Sequence, residues 1–150
     1  MVANAGSVRS CLPCIVTLGG MHPALKPLSG MDDLDRALAA TDERPLLLFK
    51  HSFTCGVSAE ALDELVAHLN ERQLEASYAM VTVQTHREVS NAVAKMLGVR
   101  HESPQALLIR DRRVVWSASH FRVTAAAVEA ALQMLSPAPP PTPTTRPTES

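Results

Sequence analysis

Two spacings of apolar residues alternate along this chain. Leu46-Leu47-Leu48-Phe49 is apolar at every position, as a strand buried on both faces must be. Val57, Ala61, Leu62, Leu65, Val66 and Leu69 then recur at helical spacing, with Glu60, Asp63, Glu64 and His68 between them, and predict a helix to about Arg72. Tyr78 to Val83 reads as a second strand, and Val89, Val93, Met96 and Leu97 give the apolar face of a second helix ended by Gly98. Ala106 to Ile109 and Val114 to Ala118 are split by Asp111-Arg112-Arg113, which predicts an antiparallel hairpin. Thr124 caps a last helix carrying Ala125, Val128, Ala131, Leu132 and Leu135. Ahead of all this, Leu34 and Leu38 with Ala37, Ala39 and Ala40 make a short helix that Pro45 brings to an end. Ser29-Gly30-Met31-Asp32 and Thr85-His86-Arg87-Glu88 both have capping-box spacing at helix starts.

The two ends break these patterns. Residues 1–28 carry no sustained period and read as an extension, poorly ordered, with the domain expected over 29–136. From Pro137 onward six of fourteen residues are proline, which predicts a disordered tail over 137–150 because so little apolar surface is available to bury. At 150 residues the chain suffices for one domain. A formal net charge of −1 gives no reason to expect nucleic acid or an acidic membrane as partner. No apolar run reaches the eighteen or so residues of a membrane span. Pro13, Gly19, Gly20 and Pro23 interrupt the uncharged stretch between Arg9 and Lys26, so it does not read as a signal peptide. Three cysteines are too few for a disulfide-built fold and suit a reducing compartment, and the cytoplasm is the expected location.

Chemistry concentrates where the first buried strand gives way to its helix, in Phe49-Lys50-His51-Ser52-Phe53-Thr54-Cys55-Gly56-Val57-Ser58. Unpaired N–H groups at a helix start favour thiolate over thiol, so Cys55 is a candidate nucleophile. Lys50 and His51 stand just upstream to add positive potential. Ser58, one turn on, is placed to hydrogen-bond the sulfur. Cys11-Leu12-Pro13-Cys14 is a second thiol pair, but it lacks both the strand–helix setting of a dithiol site and the four ligands of a zinc site. His51, His101 and His120 fall at strand ends or loops. With Cys55 their donor types suit zinc, and they equally suit tuning a thiolate or binding an anion. No metal is expected.

The element order β-α-β-α-β-β-α implies a sheet covered by helices, and it is also the order of a thioredoxin-like core. Phe49-Lys50-His51-Ser52, Thr54-Cys55 and Ser58 resemble the F-K-H-S-x-T-C-P-x-S signature of the YtxJ-type monothiol bacilliredoxins. Arg87-Glu88-Val89-Ser90-Asn91, Val99 to Gln105 and Trp116 to His120 resemble that family's helix start, cis-proline loop and last strand end. The resemblance spans about residues 29 to 135, and Gly56 departs from it where the family has proline. It implies an α/β, thioredoxin-like fold with a central mixed sheet of about four strands flanked by helices.

The implied activity is monothiol thiol–disulfide exchange, in which Cys55 removes bacillithiol from protein mixed disulfides. Bacillithiol is then a co-substrate, no cofactor is needed, and the partners are bacillithiolated proteins. Lys50, His51, Thr54 and Ser58 would tune the thiolate, and Gly56, Val57, His101, Ser103 and Pro104 would bind substrate, with the Ser103–Pro104 bond cis beside the cysteine. Two other readings differ in class. Cys55-Gly56-Val57-Ser58 is one residue away from the C-G-F-S of monothiol glutaredoxins, which carry iron–sulfur clusters. The chain could also be a binding module that kept the fold without the activity.

Overall fold

The computed structural model describes residues 21–71 and 76–136. Among these, strands β1 (Leu25–Pro27), β2 (Leu46–His51), β3 (Ser77–Thr82), β4 (Gln105–Arg110) and β5 (Arg113–Ser119) form one mixed sheet in the order β1-β3-β2-β4-β5. β1 and β2 run parallel to β3 on either side of it, and β4 and β5 are antiparallel to their neighbours. Helices α1 (Met31–Ala39), α2 (Gly56–Glu71), α3 (Arg87–Leu97) and α4 (Ala125–Leu135) cover the sheet.

Strand alternation sorts the core into two layers. Leu47, Phe49, Tyr78, Met80, Ala106 and Leu108 pack with Ala61, Leu65 and Leu69 of α2 and with Val128 and Leu132 of α4. Leu46, Leu48, Ala79, Val81, Leu107 and Ile109 face the other way, against Leu34 and Leu38 of α1 and Val89 and Val93 of α3. β2 lies at the centre with its apolar residues almost wholly inaccessible, which is why it has no polar face. Each such leucine contributes about 1.5–3 kcal/mol through burial.

Leu25 to Leu28 lie inside the domain, not in the extension expected up to residue 28. Leu25 and Leu28 are buried, β1 is paired with Tyr78 to Met80, and the Leu28 N–H donates to the Met80 carbonyl at 2.8 Å. Three residues between Pro23 and Pro27 are too few to show a period, and proline is tolerated there because β1 is an edge strand. The Cys11/Cys14 pair and the proline-rich tail lie outside the described residues.

Neither expected capping box forms as spaced. Gly30 is the N-cap of α1, and the Asp33 carboxylate, not that of Asp32, accepts from the Ser29 N–H at 3.0 Å. His86 is the N-cap of α3 without a side-chain cap, while the Thr85 hydroxyl bonds the His86 ring at 2.8 Å. Gly98 does end α3 in the left-handed conformation, at φ 64°, and Thr124 Oγ1 does cap α4 by accepting from the Ala127 N–H at 3.2 Å. The hairpin turns through Asp111 and Arg112, both at positive φ. The buried Thr41 anchors that turn: its carbonyl accepts from the Asp111 N–H and its hydroxyl from the Arg112 N–H.

Candidate functional site

The carboxyl end of β2 leads into a four-residue turn and then into α2, and Cys55 stands at the junction. Its N–H donates to the Ser52 carbonyl at 3.3 Å, and its own carbonyl accepts from the Ser58 and Ala59 N–H groups. Cys55 therefore occupies the N-cap position of α2, at the positive end of a sixteen-residue helix. It is a free, half-buried thiol and the one cysteine among the described residues.

Ser58 is fully buried, and its hydroxyl has partners other than the expected sulfur. It accepts from the Ser52 N–H at 2.8 Å and lies 3.0 Å from His51 Nδ1. Burial pushes the His51 pKa down and the contact with Ser58 works against that shift. Burial thus favours the neutral imidazole, and Nδ1 shares a hydrogen bond with the Ser58 hydroxyl. His51 thereby holds the turn beneath Cys55, and burial works against the positive charge expected of it.

Lys50 points to the opposite layer. Its side chain is wholly buried, its Nζ is 2.9 Å from His101 Nδ1, and burial pushes its pKa down to about 8. Ser90 Oγ, buried on α3, is 3.4 Å from the same ring nitrogen. The His101 pKa is also lowered, by burial first and then by the positive charges of Lys50 and Arg87.

Thr54 is exposed and belongs to a network that the sequence did not disclose. Gln84 Nε2 donates to Ser52 Oγ at 2.5 Å and to Thr54 Oγ1 at 3.0 Å, and the two hydroxyls are 3.3 Å apart. Gln84 thereby ties the turn before Cys55 to the loop after β3. A polar residue just past the carboxyl end of a parallel strand beside β2 was the available signal, since such ends gather functional side chains in open α/β sheets.

The Ser103–Pro104 bond is cis, as expected. The loop carrying it enters β4 where Gln105 is registered against Lys50, at the same sheet edge as Cys55. The Pro104 carbonyl accepts from the His120 N–H at 3.0 Å, and Gln105 Nε2 donates to the Arg100 carbonyl at 3.0 Å. Gly56 opens α2 with free space where a side chain would stand. Val57 lines a groove of about 380 Å³ with Glu60 and Glu64 of α2 and with His120 and Phe121. Phe53 and Phe121 are both well exposed. Among the described residues no group of three or more His, Cys, Asp or Glu side chains could hold a metal ion, so His51, His101 and His120 do not form one with Cys55. No helix among the described residues is long and apolar enough to cross a membrane.

A parallel β-α-β unit followed by a helix-capped hairpin, with a thiol at the N-terminus of the helix after the central strand, defines a thioredoxin-fold oxidoreductase with thiol redox function. Solved structures share this fold. The chain is 30% identical to a thioredoxin-fold protein provisionally assigned as an oxidoreductase, over 72% of this chain and 93% of that one, with a TM-score of 0.64. Fasciola hepatica thioredoxin shares the fold at 16% identity, over 73% and 98% of the two chains, with a TM-score of 0.61. Mitochondrial thioredoxin 3 of Saccharomyces cerevisiae does so at 12% identity, over 74% and 95%, with a TM-score of 0.59. Within that class the sequence profile of monothiol bacilliredoxin BrxC matches residues 26–128, and the chain belongs to that family.

Proposed function

We propose that the protein is a cytoplasmic monothiol thiol–disulfide oxidoreductase that removes bacillithiol from protein mixed disulfides through Cys55. The observation that carries this reading is the pairing of a half-buried thiol at the α2 N-cap with a buried serine, already hydrogen-bonded, one turn further on. A nucleophile is present, and among the described residues no second thiol resolves its disulfide.

The Cys55 thiolate attacks the bacillithiol sulfur of the mixed disulfide. A Cys55–bacillithiol disulfide forms, the protein–sulfur bond breaks, and the protein thiolate leaves and takes a proton. The thiolate of a second bacillithiol then attacks the sulfur of the bound one, releasing oxidised bacillithiol and regenerating the Cys55 thiolate. The partners are bacillithiolated proteins and bacillithiol itself, and no cofactor enters either step.

Intact mass spectrometry after mixing with a bacillithiol-modified peptide tests this. The wild-type protein is expected to gain one bacillithiol and Cys55→Ser none, with far less adduct from oxidised glutathione. A wild-type protein that stays unmodified while folded overturns the assignment.

A further inference from the structure

Lys50 is a buried cation hydrogen-bonded to His101 at the carboxyl end of β2, and among the described residues no carboxylate forms an ion pair with it. Lys50 is wholly buried, with a single hydrogen-bond partner among the described residues, His101 Nδ1 at 2.9 Å. An ammonium group only donates, so Nδ1 must be the unprotonated nitrogen and the ring proton resides on Nε2. Ser90 Oγ, at 3.4 Å from the same nitrogen, steadies the ring from α3. His101 as a whole is exposed, so the edge that is not held by Lys50 and Ser90 faces solvent and presents an N–H donor there.

The charges acting on that ring are Lys50 and Arg87, both positive. Glu88 and Glu102 adjoin them in sequence, yet among the described residues neither forms an ion pair with Lys50, His101 or Arg87. A buried ammonium without a counter-ion is costly, and an anion arriving at its hydrogen-bonded relay recovers part of that cost. The position suits a small substrate. β4 begins at Gln105 opposite Lys50, and the turn to Cys55 begins one residue beyond His51, so the donor and the thiol share one sheet edge.

We infer that the outward N–H of His101, backed by Lys50, is a subsite for a carboxylate of the low-molecular-weight thiol whose sulfur is exchanged at Cys55. This rests on the proposed function and adds the feature by which the thiol is chosen. Lys50 acts through His101 and is a positioning residue.

The test compares kcat/KM for removing bacillithiol, and bacillithiol with its carboxylates esterified, from one neutral peptide. The wild-type protein is expected to favour the free acid by about tenfold, mostly through KM, since a remote charge contact adds binding and leaves the reacting sulfur alone. His101→Ala should bring the ratio towards one. His101→Gln, which keeps an acceptor for Lys50 and an outward donor, should retain most of it. Should His101→Ala fold poorly, titrating the wild-type protein with malate is the second measurement, and the His101 ring signals should shift. A wild-type ratio near one, a ratio unchanged in His101→Ala, or ring signals unmoved by malate overturns the subsite. A preference that follows acidic residues placed in the peptide, and not the esterification, also overturns it and assigns the subsite to the protein half. Failure of the wild-type protein to take bacillithiol from either substrate defeats the proposed function instead, which separates the two failures.

Discussion

Lys50 and His51 are neighbours whose side chains leave β2 on opposite faces, and burial acts on both. Burial favours the neutral form of His51, which lies against a serine hydroxyl, and penalises the ammonium of Lys50. The ordinary lysine pKa of 10.5 applies to the unfolded chain and about 8 to the folded one. Between these values the unfolded state binds more protons, so stability contributed at this position rises with pH across that window, and below pH 8 the full cost is present. Lys50→Met should therefore be more stable than wild type at pH 7, by on the order of 2–3 kcal/mol, with the advantage fading as pH rises towards 10.5. Urea unfolding of both proteins at pH 7 and pH 10 measures this, and parallel pH profiles would show that Lys50 is not the cause. The same substitution should weaken thiol exchange, a conflict between stability and function that is common at sites.

At the scale of elements, α2 places Cys55 at its start, because the first turn begins at the residue after the cysteine. Gly56 is the first residue of that helix, where the family signature has proline. A side chain there would meet nothing within 4 Å, and the backbone is not in the left-handed region that only glycine favours. Proline is well suited to a first helical position, since its missing N–H would be unpaired anyway. Gly56→Pro should accordingly stabilise the fold by about 0.4–1 kcal/mol, chiefly by restricting the unfolded chain. Thermal unfolding checks it, and a lowered Tm would mean that the turn over Ser52 to Cys55 needs the glycine. The helix and its cysteine were legible because the apolar period starts immediately after an apolar run. The hydroxyl–amide network of Ser52, Thr54 and Gln84 was not, because Gln84 lies thirty residues from Thr54 and meets it only once β3 pairs with β2.

For the whole molecule the informative boundary is at β1. A chain beginning at residue 29 loses Leu25 and Leu28 from the two core layers and leaves one edge of β3 unpaired. It should lose at least the ~2–5 kcal/mol that deleting one buried leucine costs. A chain beginning at Met21 keeps both leucines and should keep bacillithiol transfer, as should Cys11→Ser combined with Cys14→Ser in the full chain. Loss of turnover in that folded double variant would make the two N-terminal thiols resolving groups and end the monothiol account. Comparing urea midpoints and transfer rates for the four proteins separates these outcomes.

Local spacing was enough for the elements that bury the most apolar surface: β2, α2, α3, the β4–β5 hairpin and α4 are each announced by a period of their own. It was also enough to put Cys55 at a helix start and Pro104 before β4, since both depend on residues adjacent in the chain. Partners distant in sequence were decided by tertiary structure alone. A hydrogen bond is directional and short, so whether Ser58 meets Cys55 or His51, and whether Lys50 faces the thiol or His101, depends on which face of β2 each residue takes. β1 belongs to the same class. Three residues carry no period, and they become a strand because β3 offers them an unpaired edge and the core offers Leu25 a place.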